Sequence, residues 1–131
     1  MSVISCQHSA KSQNMRDFRK QIVWEKAHFL TLKVYKITKS FPKEELYGLT
    51  SQTRRACASI PTNIAEGCGR DTDADFARFL QIAMGSATEV EYLFMLTNSL
   101  GLIEEADYNK LHEEVVEIKK MLSSYIKKLR S

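Results

Sequence analysis

Apolar residues recur every three or four positions through most of this chain, and nowhere do they alternate with period two over a useful length. That pattern specifies amphipathic helices and leaves nothing from which to build a sheet. Four periodic segments follow one another. The first runs from about Trp24 to Ser40, with Ala27, Leu30, Val34, Ile37 and Phe41 on one face. The second, from about Glu45 to Glu66, carries Leu46, Leu49, Thr53, Ala56, Ile60 and Ile64. The third opens near Asp73 and continues to Leu100 through Phe76, Phe79, Ala83, Val90, Leu93 and Thr97. The fourth begins near Glu104, and its Tyr108, Leu111, Val115, Ile118, Leu122, Tyr125 and Leu129 form an unbroken heptad seam.

The ends agree with the periods. Thr72 and Asp75 have the spacing of a capping box, and Gly101 suits the residue that closes a helix. Acidic residues open the fourth segment and Lys127, Lys128 and Arg130 close it, as the helix dipole favours. Short loops join the segments, so the expected fold is an all-α, antiparallel up-down-up-down four-helix bundle over residues 22–131, behind a mobile basic tail, residues 1–21. Phe29, Leu32 and Tyr35 flank the first seam, and Leu80, Ile82, Phe94 and Leu96 the third. This surplus either covers a subunit interface or thickens the packing of one bundle.

The 131 residues make one domain, 44% hydrophobic and 27% charged. No apolar run reaches the length of about 18 residues that a membrane span needs, and the N-terminus lacks the apolar core of a signal peptide. The expectation is a cytoplasmic protein with no membrane partner. Cys6, Cys57 and Cys68 are odd in number and contain no CxxC pair, which fits reduced thiols. The segment 11–20 holds a net +3, the whole of the chain's formal charge of +3, so residues 21–131 are neutral overall.

One stretch breaks the helical grammar. RRACASIPTNIAEGCGR, residues 54–70, reads as helix yet contains Pro61. A proline in a helix interior frees the carbonyl four residues back, here that of Cys57, at a cost of about 3 kcal/mol or more. Ser59, Thr62 or a water are the expected compensating donors. Small residues on either side permit a neighbouring helix to come close. The resulting kink, marked by Ser59, Pro61, Thr62 and Gly67, either bends the helix around a partner or only helps the bundle close. Gly67 and Gly69 read as helix terminator and turn.

The stretches VWEKAHFLTLKVYKIT (23–38), FPKEELYGLTSQTRRACASIPTNIAEGCGR (41–70) and FARFLQIAMGSATEVEYLFMLTNSLGLI (76–103) resemble the four-helix-bundle family encoded in bacterial 23S rRNA intervening sequences. The likeness runs from about Phe18 to Leu129. It implies a homopentamer, a ring of bundles around a central channel, and association with RNA. The family is similar to the accessory variability protein of diversity-generating retroelements, which binds nucleic acid and works with a reverse transcriptase. Arg54, Arg55, Glu66 and Arg70 fall on the family's motif positions, and the resemblance assigns none of them a catalytic role. The neutral 21–131 region departs from the strongly basic retroelement relatives.

Catalytic signatures are sparse. A di-iron carboxylate bundle needs two Glu-x-x-His motifs; Glu25 and His28 make one, but His112 is preceded at that spacing by Asn109. Cys57 has no histidine near it in sequence, and neither GxxxxGK[ST] nor GxGxxG occurs. We therefore expect no enzyme activity, no metal and no cofactor. The nucleic-acid candidates are Lys26, Lys33 and Lys36 on the first helix, with Arg54, Arg55 and Arg70 on and after the second. They would grip phosphates, with no aromatic platform visibly interleaved among them. The expected function is a non-catalytic homo-oligomer associating with structured nucleic acid, RNA or DNA. The alternative is an oligomeric adaptor for a protein partner: the nucleic-acid reading needs Arg54, Arg55 and the first-helix lysines to converge on one surface or channel, and the adaptor gains if they pair instead with Glu66, Glu89 or Glu91.

Overall fold

The computed structural model describes residues 16–131 and is built from four long helices: α1 (Ile22–Thr38), α2 (Ser51–Cys68), α3 (Asp73–Ser99) and α4 (Glu105–Arg130). No strand occurs among the described residues. The chain is an all-α four-helix bundle. α2 packs chiefly on α3 and α1, and α4 on α3 and α1. Contacting pairs run in opposing order along the α1–α2, α2–α3 and α1–α4 junctions. Thr31 meets Cys57 while Thr38 meets Arg54; Ser59 meets Ser86 while Gly67 meets Phe76; Gln21 meets Tyr125 while Lys33 meets Glu114.

The core follows the apolar periods. Val23, Ala27, Leu30 and Val34 of α1 share one core with Ala56, Cys57, Ile60 and Ile64 of α2 and with Phe76 and Phe94, the largest fully buried side chains of α3. On α4 the buried positions are Leu111, Val115, Ile118, Leu122 and Ile126. The seam drifts from the heptad towards the end, leaving Tyr125 and Leu129 half-buried, as a straight helix of 3.6 residues per turn requires. Of the surplus apolar side chains, Leu80 and Phe94 are buried and thicken the core, Leu96 is half-buried, and Phe29, Leu32, Tyr35 and Ile82 are exposed.

Caps close the helices. The Asp75 N–H donates to Thr72 Oγ1 at 3.1 Å, and Gly101 adopts φ 74° after α3, the left-handed geometry that glycine tolerates. The reciprocal half of the expected capping box does not form, because the Asp75 carboxylate turns to Arg70 and Arg78.

Two boundaries differ from the sequence expectation. Residues 1–15 of the expected tail lie outside the described residues, but 16–21 pack on the bundle. The Arg16 N–H donates to Cys68 O at 3.2 Å, at the end of α2 where helix carbonyls need donors. Phe18 sits edge-on to Trp24 with ring centroids 4.9 Å apart. The second helix was expected from about Glu45, yet residues 43–50 form a short turn and a wide turn whose backbone leaves helical geometry at Gly48 (φ −114°, ψ −107°).

α2 ends at Cys68 with Gly69 as its cap, as the Gly67-x-Gly69 pair leads one to expect, and Gly67 itself lies in the last turn as a contact residue. A Cβ there would stand 2.8 Å from Phe76 Cδ1 and 2.9 Å from Phe79 Cβ. Gly67→Ala is therefore expected to overpack the α2–α3 junction and destabilise the fold by about 1–3 kcal/mol. Urea unfolding at fixed protein concentration measures it, and an unchanged midpoint would contradict the packing assigned to Gly67.

Candidate functional site

The proline is accommodated by the neighbouring helix. α2 continues through the buried Pro61, and the carbonyl of Cys57 that it frees takes a hydrogen bond from Thr31 of α1. The one Thr31 hydroxyl proton has three acceptors in reach, Ala27 O at 2.8 Å, Cys57 O at 3.3 Å and Cys57 Sγ at 3.7 Å. The expected donors act elsewhere. Thr62 Oγ1 donates to Ala58 O at 2.8 Å, and Ser59 Oγ lies 2.8 Å from Ser86 Oγ on α3. Asn63 Nδ2 donates to Ser59 O at 2.8 Å. Side chains thus reach back to successive carbonyls around the proline, the pattern that eases a bent helix.

The basic residues do not converge on one surface. Lys26 and Lys33 face α4, where they pair with Glu117 at 3.4 Å and with Glu114. Arg70 lies past the other end of α2, some 27 Å along its 18 residues at 1.5 Å each. Its Nε bonds Asp75 Oδ2 at 2.9 Å, and its guanidinium stands 4.9 Å from the Phe79 ring centroid. Arg78 takes the other oxygen of Asp75, and these hydrogen bonds, Arg78's foremost, hold that carboxyl below the usual range. Glu91 is engaged by Lys119 at 2.8 Å rather than by Arg54.

What remains is a groove at the start of α2. Arg54 is held by two partners: its Nε donates to Thr38 Oγ1 at 2.8 Å and its Nη2 to Tyr35 O at 3.3 Å. Its guanidinium lies over the Tyr35 ring, 4.8 Å from the centroid. Arg55 is exposed and bonds only a neutral group, Ser51 Oγ at 3.2 Å. Tyr35, Tyr47, Thr50, Arg54 and Arg55 line an open groove of about 450 Å³ with no carboxylate in its wall. Among the described residues neither arginine, nor the exposed Lys36 that follows Tyr35, makes an ion pair.

Tyr35 and Tyr47 place two aromatic rings in the same groove wall as the arginines, a juxtaposition that the sequence did not reveal. Tyr47 is 94% exposed, because the break at Gly48 takes it off the α2 core face. A tyrosine just before a glycine, ahead of the helix, was the available signal. A larger open groove, about 910 Å³, lies between Arg16, Asp73 and the end of α4; Asp73 and Glu117 in its wall oppose Lys120 and Lys128.

Other chemistry finds little support in geometry. His28 stacks on Trp24, with centroids 4.9 Å apart and planes 7° from parallel. Among the described residues no three His, Cys, Asp or Glu side chains gather as a metal site would require. Cys57 and Cys68 are free, and burial pushes their thiols up to about 12 and about 11, so both stay protonated and weakly nucleophilic at neutral pH. No described helix is long and apolar enough to cross a membrane.

The role given to Thr31 makes a measurable coupling. Thr31→Val is expected to cost about 1 kcal/mol in the natural chain. In a Pro61→Ala background, where residue 61 regains an N–H for the Cys57 carbonyl, the same change should cost less. A double-mutant cycle of unfolding free energies tests this; equal costs in the two backgrounds would contradict it.

Residues 19–124 match the family model described as 23S rRNA-intervening sequence protein. The fold is similar to the crystal structure of a protein of unknown function from the S23 ribosomal protein family of Bacteroides thetaiotaomicron. The two share 29% identity with a TM-score of 0.75, over 81% of this chain and 96% of that one. No curated protein matches the chain.

Proposed function

The chain belongs to the 23S rRNA-intervening sequence protein family, and from that premise we propose that it is a non-catalytic, homo-oligomeric bundle that holds structured RNA by its phosphates. It works in the cytoplasm without metal or cofactor. The observation that carries the reading is the groove at the start of α2, where Arg54 and Arg55 stand without a carboxylate in the wall. Arg55 contacts phosphate directly, since a guanidinium with only a neutral partner is available for a bidentate grip. Arg54 contributes its charge from a fixed position.

Lys26, Lys33 and Arg70 are not part of this contact, because carboxylates already neutralise them. One protomer then offers few phosphate contacts. Repetition around a ring, a pentamer by the family resemblance, multiplies them, and avidity raises affinity without new chemistry. The exposed apolar side chains Phe29 and Leu32 on α1, and Ile82, Tyr92 and Met95 on α3, supply surface for that self-association. The same residues favour the second reading, an adaptor for another protein.

The test is binding of nuclease-treated protein to a structured RNA across a salt series, with oligomeric mass measured in parallel. A steep slope is expected, and Arg55→Gln should flatten it by about 0.7–0.9 for each phosphate that the variant leaves unneutralised. Arg70→Gln should leave it unchanged. Flat or absent binding at low salt by an intact oligomer would overturn the RNA reading and leave the adaptor.

A further inference from the structure

The groove that bears Arg55 has more in it than phosphate binding requires. Tyr47 presents its ring almost entirely to solvent on a turn closed by Gly48. A tyrosine ring loses little conformational freedom when it is covered, so it makes an inexpensive platform for a flat ligand. The Tyr35 ring carries the Arg54 guanidinium, and both lie in the same wall. Because Thr38 and the Tyr35 carbonyl hold Arg54, that second flat surface is formed in advance and bears a positive charge. Thr50, only 3% exposed, also lines the groove, and its Oγ1 is buried with no hydrogen-bond partner among the described residues.

From these residues we propose that the groove receives one unpaired nucleotide of a structured RNA. Its base stacks on Tyr47, and its phosphate lies on Arg55. This rests on the RNA reading above and goes beyond it, because phosphate contacts alone do not distinguish paired from unpaired strands. Bases inside a helix have their faces covered by their neighbours, whereas a bulged or looped nucleotide can be turned out and stacked on an aromatic ring or a guanidinium plane. The volume, about 450 Å³, suits a single small ligand rather than a packed helix. A cationic wall without carboxylates complements a nucleotide's charge. The apolar surface available to a second copy of this chain includes Phe29, Leu32, Ile82 and Met95 outside the groove, and Tyr35, Leu46 and Tyr47 in its wall, so the oligomeric mass of the Tyr47 variant is part of the test.

Two RNA hairpins of equal nucleotide count test the proposal, one with a single bulged 2-aminopurine and one with that nucleotide paired. The oligomeric protein should bind the bulged hairpin more tightly and quench its fluorescence. Tyr47→Ala should weaken binding of the bulged hairpin by about 5- to 150-fold, the range expected when a base–aromatic stack is removed, and abolish the preference. Tyr47→Phe should retain both, and Tyr47→Ala should leave the salt slope on the paired hairpin unchanged. Equal affinity of the natural protein for the two hairpins, unaffected by Tyr47→Ala, would overturn the stacking site while the phosphate reading stands. Binding of neither hairpin by an intact oligomer would overturn both. A lower oligomeric mass for Tyr47→Ala would assign the groove to contacts between copies and overturn the nucleotide site alone.

Discussion

The position of α2 governs the rest of the molecule. On one side Gly67 lets its backbone approach α3 so closely that a methyl group would collide with Phe76. On the other, Thr31 reaches from α1 to the carbonyl that Pro61 leaves without a donor. A proline in a helix interior costs several kcal/mol when nothing compensates. Here an adjacent helix supplies a donor for that carbonyl, so part of the cost, about 1 kcal/mol, is offset only when α1 and α2 are packed in register. Local backbone chemistry is thereby coupled to tertiary packing. The same placement fixes where the two ends of α2 stand, and with them Arg54 and Arg55 at one end and Arg70 at the other.

That separation reshapes the electrostatics. Basic residues that look like one patch in sequence fall into three places, and two of them are neutralised by carboxylates on α4 and α3. Exposed pairs of this kind contribute little to stability, on the order of 0–1 kcal/mol. Their consequence is to remove charge from the surface a polyanion would see. Arg54 and Arg55 escape because their neighbours are hydroxyls, a carbonyl and tyrosine rings.

The helices and most of the core were legible in the sequence, because burial imposes a period near 3.6 that Leu30, Val34, Ile60, Ile64, Val90 and Ile118 all obey. Three features were hidden for definite reasons. Thr31 lies 26 residues from Cys57, and nothing local connects a threonine on one helix to a proline on another. Gly67 has the sequence context of a terminator, and only its distance to Phe76 reveals a packing role. Tyr47 sits in an apolar-periodic run, and the break at Gly48 that turns it outward is a conformational fact. The candidate site was therefore half legible: its arginines by residue type, its aromatics only in three dimensions.

The central claim is that RNA lies against the start of α2. Ultraviolet crosslinking of the oligomer to a structured RNA, followed by mass spectrometry of the crosslinked peptides, tests it directly. Crosslinks confined to peptides containing Tyr35 and residues 46–58 are the expected result. Crosslinks concentrated instead at the Arg70–Arg78 end, or along the face of α1 that carries Lys26 and Lys33, would contradict it.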